Sequence, residues 1–212
     1  MRRAGFVIAF VILAARPAFA QDPPPPLPHV VLDLHGLVPV FPNDAVQLAD
    51  SRGLTVTELP GAGMGARIGA HLYVLTFKAM TFGVGGELIV GRSSSTPVGA
   101  ASGLVPVDER LVSAAPQVSV NFGSGHGWSY LSGGFGRSTW SLHPAGAPGL
   151  AADAESLPTA NYGGGARWFA KTHLAFSLDV RIYEIQPGSP LGGRPGSPRT
   201  RLFVVGAGVS LK

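Results

Sequence analysis

Gly63–Gly91 reads GMGARIGAHLYVLTFKAMTFGVGGELIVG. In its first half Met64, Ala66, Ile68, Ala70, Leu72 and Val74 alternate with Gly65, Arg67, Gly69, His71 and Tyr73. After a tight break at Leu75–Met80, Phe82, Val84, Gly86, Leu88 and Val90 alternate with Thr81, Gly83, Gly85 and Glu87. A period of two places each set on its own face of a strand, so the stretch predicts an antiparallel hairpin. One face is aliphatic and the other carries arginine, histidine and glutamate. A half-buried strand of a soluble protein gives the same local pattern, and the rest of the chain decides between the two.

Further alternating runs are read at Val30–Val38, at Gln117–Phe122, over Trp128–Trp140 and Ala160–Phe169, over Leu174–Tyr183, and in a last run that ends at Leu211. Most are close to the ~9–11 residues of a tilted membrane strand. The breaks at Leu75–Met80, Gly123–Gly127 and Ala170–His173 are short, whereas those at Pro42–Ala62, Ser93–Leu111, Ser141–Pro158 and Gln186–Arg199 are long. Short turns on one side and large loops on the other are the rhythm of a membrane barrel. The predicted fold is all-β, an eight-stranded antiparallel up-and-down transmembrane β-barrel over residues 30–212. Pro39 helps to end the first strand, and Pro116 is placed at a strand start or bulge because proline cannot donate to a ladder. Trp128–Trp140 carries apolar residues on both parities and its facing is left open. Tyr73, Phe77, Phe82, Phe122, Trp128, Trp168, Phe169 and Phe176 fall beside the short turns, and Phe41, Trp140, Tyr183 and Phe203 near the long loops, which predicts two aromatic girdles.

The N-terminus adds an export signal at residues 1–20: Arg2 and Arg3 precede the apolar Phe6–Ala15, and Ala18-Phe19-Ala20 offers a small-x-small cleavage pattern. Arg16 and Pro17 cut that run short of a ~20-residue membrane helix. Residues 21–29, with Pro23–Pro26, form an extended periplasmic lead-in that cannot join a ladder. The sequence pI near 9.9 invites nucleic acid as a partner. Yet Arg2, Arg3 and Arg16 leave with the signal, taking the formal charge from +4 to +1, and no basic cluster remains to neutralise phosphates. Cysteine is absent, so the exported fold is held without disulfides. Only 13% of residues are charged and the mean hydropathy is +0.26. A barrel with lipid outside and polar groups inside accommodates that composition.

On the faces assigned inward lie Asp33, Glu87 and Asp179 with Arg67, Arg167 and Arg181, together with His35 and His71. The interior of eight strands is only wide enough for side chains. These charges are therefore expected to pair as an internal plug, with a narrow charged pore or small-solute carrier as the alternative. The glycine clusters Gly83–Gly86, Gly133–Gly134 and Gly163–Gly165 lack the spacing of a phosphate-binding loop. They are expected to relieve crowding where a small barrel bends, or to let interior side chains fit. His29, His35, His71, His126, His143 and His173 show no metal-ligand spacing, and no cofactor is implied. His126 and Ser129 are the one close histidine–serine pair in a strand context, without an acid nearby to orient the histidine, so no catalytic site is assigned.

The signal, the alternating strands, the loop rhythm, Asn161–Trp168 and Phe176–Arg181 together resemble the small bacterial outer-membrane β-barrel proteins of the OmpA/OmpX type. The resemblance implies a place in the outer membrane of a Gram-negative-type bacterium with both termini periplasmic. It also implies contact with outer-membrane lipid and insertion by the barrel-assembly machinery. Members of that class usually end in an aromatic residue, whereas this chain ends Val209-Ser210-Leu211-Lys212. The expected role is structural, or a surface interaction with an extracellular partner through the long loops. A further alternative is an exported soluble lipocalin-like barrel with the facing reversed, Leu178 and Val180 inside.

Overall fold

The computed structural model describes residues 29–95, 105–124 and 126–212. The signal and lead-in expected at residues 1–28 lie outside them. Eight strands alternate along the described chain: β1 Val30–Val40, β2 Met64–Phe77, β3 Met80–Ser94, β4 Val107–Ser124, β5 Gly127–Pro144, β6 Ser156–Lys171, β7 Leu174–Ile185 and β8 Thr200–Leu211. Each pairs antiparallel with the next, and β1 closes on β8 from Leu32↔Leu211 to Val40↔Phe203. No edge is left unpaired, which satisfies the backbone without recourse to water.

Inside and outside alternate as a period of two demands. Leu178 is 54% exposed on the outside while Asp179 is 2% exposed within. Val180 points outward and Arg181 inward as well, the reverse of what a soluble barrel with an apolar ligand cavity needs. On β5 the residues Trp128, Tyr130 and Trp140 point in, and Leu131 and Phe135 point out. The interior glycines give space to large side chains. A Cβ on Gly83 would stand 2.5 Å from the Tyr73 ring, and one on Gly163 would stand 2.7 Å from Arg181 Cγ.

Four expectations are corrected. The strands around the second and third long loops outrun the membrane thickness. β4 and β5 each have 18 residues and stay paired up to Val107↔Pro144, so those loops are shorter than the sequence suggested. Pro39 does not end β1. Its carbonyl accepts from the Gly63 N–H at 2.9 Å, so its missing donor faces β2 beyond the last ladder pair, Leu37↔Gly65. Pro116 lies in mid-strand opposite Gly86, and the β4–β5 ladder lapses between Ala114↔Arg137 and Gln117↔Gly134 with the same register on both sides.

The aromatic girdles are also thinner than expected. Phe77, Phe122, Trp168 and Phe176 are exposed at the short-turn end, but Tyr73 and Trp128 turn inward, with Phe169 half-buried against them. At the loop end Phe203 stays outside, while Phe41, Trp140 and Tyr183 are interior. Their parity decides this, and the polar tips of Trp140 and Tyr183 find carboxylates inside.

Candidate functional site: the filled lumen and its lid

The six charged residues singled out in the sequence all point into the barrel at mid-height, each at most 8% exposed. Arg167 of β6 forks onto Asp33 of β1: Nε donates to Oδ1 at 3.1 Å and Nη2 to Oδ2 at 2.6 Å. Ser210 Oγ donates to the same carboxylate at 2.5 Å, and His71 Nδ1 stands 3.7 Å from it. The Arg167 guanidinium also stacks 4.0 Å from the centre of the Tyr130 ring.

Asp179 of β7 is the second hub. It takes a close contact from Arg67 Nη1, the Tyr130 hydroxyl at 2.6 Å, and Arg181 Nε at 3.2 Å. Glu87 of β3 lies between the same two arginines, 3.9 Å from Arg67 and 3.4 Å from Arg181, and accepts from the Tyr183 hydroxyl at 2.7 Å. Arg181 reaches onward to Gln117 at 3.3 Å, to Asn161 at 3.1 Å, and closely to Ser132. Arg67 Nη2 donates to His35 Nδ1 at 2.6 Å, which leaves the ring proton on Nε2 to meet Ser177 Oγ at 2.6 Å. With Gln117 from β4, Ser132 from β5 and Ser210 from β8, every strand of the barrel contributes to this layer. Slipping any strand by one residue would turn its member outward, so the network fixes register around the whole ring.

Toward the long loops the filling changes from charge to hydrocarbon. Leu37, Ile89, Leu111, Trp140, Leu142, Leu157, Ile185 and Leu202 form an apolar layer that Leu48 and Ala49 enter from above. Those two belong to α1, Val46–Arg52, a short helix in the first long loop. It ends at Gly53 in the left-handed conformation (φ +67°), where the Leu54 N–H bonds back to the Ala49 carbonyl at 2.9 Å.

The last helical residue fastens the lid. Arg52 Nε lies 3.2 Å from Asp153 in the third loop, and its Nη2 donates to Ser197 of the fourth at 2.9 Å. Arg194 donates to the Arg52 carbonyl at 3.0 Å. Asp153 is held in turn by the backbone N–H groups of Leu142 and Leu150, at 2.9 and 2.7 Å. Burial draws the Arg52 guanidinium below its usual value, and the charge of Asp153 opposes that shift.

Neisserial surface protein A shares this architecture, with 13% identity, a TM-score of 0.54, and coverage of 87% of this chain and 97% of that one. The chain has the fold of a small outer-membrane β-barrel. OprG of Pseudomonas aeruginosa (11% identity, TM-score 0.46, 88% and 97% covered) and the N-terminal barrel domain of OprF from the same organism (13%, 0.40, 86% and 96%) are also similar. No protein-family model and no curated protein sequence matches the chain.

Within this barrel, sequence reasoning missed Tyr130, Tyr183, Gln117, Asn161 and Ser132 as partners of the charges. Their inward parity was legible on β4 and β6, but contacts across the lumen depend on strand tilt. The lid was missed altogether, since seven residues in a loop show no period. Ser129 is exposed on the outer face and His126 is exposed at the turn, so nothing buried brings them together as nucleophile and base. Among the described residues no cluster of His, Asp or Glu could hold a metal ion, and no helix is long and apolar enough to cross a membrane.

Proposed function

We propose that this chain is a non-enzymatic outer-membrane β-barrel with a sealed lumen, a rigid scaffold that presents its loop end outside the cell. The observation that carries this reading is the filling of the interior by buried side chains, from the Asp33–Arg167 and Asp179–Arg67 pairs at mid-height to the apolar layer and α1 at the loop end. Short turns and both termini then lie on the periplasmic side, as in barrels of this architecture. Outer-membrane lipid meets the apolar outer face, and the barrel-assembly machinery inserts it. An extracellular partner meets the surface formed by the first, third and fourth loops, which Arg52 fastens together. Loops fixed to a rigid frame are suited to recognition because little ordering entropy remains to be lost on binding.

A pore needs its charges bathed in water. Here each of the three carboxylates holds at least two protein partners, and the mouth above is mostly apolar side chains, with Glu109 bonded to Trp140 among them. Planar-bilayer recording tests the reading: the parent protein is expected to insert without steady conductance. Stable ion conductance, altered in selectivity by Asp179→Ala or Arg181→Ala at an unchanged denaturant midpoint, would establish the pore instead.

A further inference from the structure

On the outer face near the loop end, β3 and β4 set Arg92 directly opposite Arg110, both exposed. Like charges in directly opposed positions repel. Neither guanidinium has an ion-pair or hydrogen-bond partner among the described residues. Asp108, exposed two residues along β4, pairs with neither. By contrast Arg201 and Arg137, also outside, are engaged with Glu184 at 2.7 Å and the Ser156 carbonyl at 3.0 Å.

The two free arginines lie in a groove of about 1190 Å³ across the outer face of β2–β5. Its floor is the row Met64↔Arg92↔Arg110↔Ser141, and below it runs the smaller, apolar row Ala66↔Val90↔Val112↔Thr139. Height along the barrel says what meets this groove. Outward residues of β3 are Phe82, Val84, Gly86, Leu88 and Val90 before Arg92 interrupts them. Ten residues of strand cover ~33 Å, or ~25 Å along the axis at barrel tilt, which is the height of the apolar band. Both guanidiniums therefore stand at the edge of the hydrocarbon, where lipid headgroups begin.

We propose that Arg92 and Arg110 together bind the phosphate monoester of a membrane lipid in the leaflet at the loop end, with its acyl chains against Ala66, Ile68, Leu88 and Val90. Two guanidinium forks match the two charges and three free oxygens of a phosphate monoester, whereas a diester offers one charge. This site rests on the outer-membrane reading above.

The test uses the folded chain in detergent micelles doped with phosphatidic acid, phosphatidylglycerol or diacylglycerol of identical acyl chains. Native mass spectrometry reads the retained lipid, and heat-modifiable gel mobility reads the barrel in each sample. Retention of phosphatidic acid above phosphatidylglycerol is expected, with none of diacylglycerol. Arg92→Gln/Arg110→Gln is expected to lower retention of phosphatidic acid about tenfold, the worth of one or two charge-assisted hydrogen bonds. Arg201→Gln removes the same charge outside the groove and is expected to change nothing. Equal loss in Arg201→Gln, unchanged retention in the double variant, or competition by inorganic phosphate as effective as by phosphatidic acid would overturn the lipid site while the folded band persists. A second copy of the chain seated on this face to the exclusion of lipid would overturn it too. A chain that never gives a folded, heat-modifiable band contradicts the outer-membrane reading itself.

Discussion

The middle of the lumen and its mouth are enclosed by the same eight strands and filled by opposite chemistry. At mid-height the fillers are ionic and hydrogen-bonded, and each comes from a strand. At the mouth they are mainly aliphatic and aromatic, Leu48 and Ala49 come from a loop helix, and the buried charges there are Glu109, bonded to Trp140, and the Arg52–Asp153 pair between loops. A charged layer cannot be partly undone, because removing one member leaves its partner buried without a counter-charge. An apolar layer can open at its loop-borne part and leave the ring of strands intact. The two regions differ accordingly: the charged layer ties all eight strands in one register, and the apolar layer is closed over by Leu48 and Ala49 of the loop helix.

Breaking the charged layer is expected to have the largest effect. Asp179→Ala leaves Arg67 and the Tyr130 hydroxyl without their shared acceptor and takes one ion-pair partner from Arg181. A loss of about 3–5 kcal/mol is expected from the denaturant midpoint in detergent. A midpoint within error of the parent would mean that water already solvates this layer.

The wall between inside and outside comes next. Leu178 and Asp179 are neighbours on β7 facing opposite ways. Leu178→Arg is expected to cost about 2–4 kcal/mol if that position meets the bilayer midplane. Insertion yield into lipid vesicles checks this, and unimpaired insertion would reverse the facing.

At the mouth, Leu48→Ala is expected to leave the global midpoint near the parent's while speeding amide exchange across Val46–Arg52, since a loop helix opens below the energy of the whole barrel. A drop in the midpoint as large as that of Asp179→Ala would mean that lid and ring unfold as one unit.

How far each region is legible in the sequence follows the same division. Asp33, Arg67, Glu87, Arg167, Asp179 and Arg181 were legible because each sits in an alternating run, and a closed ring sends one parity inward. Which carboxylate meets which arginine was not, since Arg67 of β2 reaches Asp179 of β7 across the lumen rather than along a ladder. The facing of β5 was masked by apolar residues on both parities. What separates them is that Trp140 and Tyr130 carry a donor that Glu109 and Asp179 accept, whereas Leu131 and Phe135 carry none. At the mouth, Leu48 and Ala49 have no periodicity to announce them. They are buried only because the strands around them end in hydrocarbon that needs a cover.

The smallest expected effect lies beyond the lid, in the turn Val56–Glu58. The Glu58 carboxylate accepts from the Thr55 N–H at 2.7 Å and the Thr55 hydroxyl at 2.8 Å. First the backbone bond and then the side-chain bond hold its pKa below the ordinary glutamate value of 4.5. The folded value is depressed, so this contribution is fully present above the ordinary value and is lost as pH falls through the lowered one. The Thr55 amide resonance is expected to titrate below 4.5, and Glu58→Gln to abolish that titration. A midpoint at or above the ordinary value would detach the turn from this cap.

A sealed lumen is tested most directly by reagent access, and a chain without cysteine allows it cleanly. Ser138 of β5 is 1% exposed and its hydroxyl makes no hydrogen bond, so Ser138→Cys disturbs no partner. In folded protein in lipid vesicles, that thiol is expected to resist a charged, water-soluble methanethiosulfonate reagent, while Ser189→Cys in the fourth loop reacts at the rate of a free thiol. Equal labelling of the two positions in barrels that keep their folded gel mobility would mean an open, water-filled lumen and would contradict the sealed scaffold.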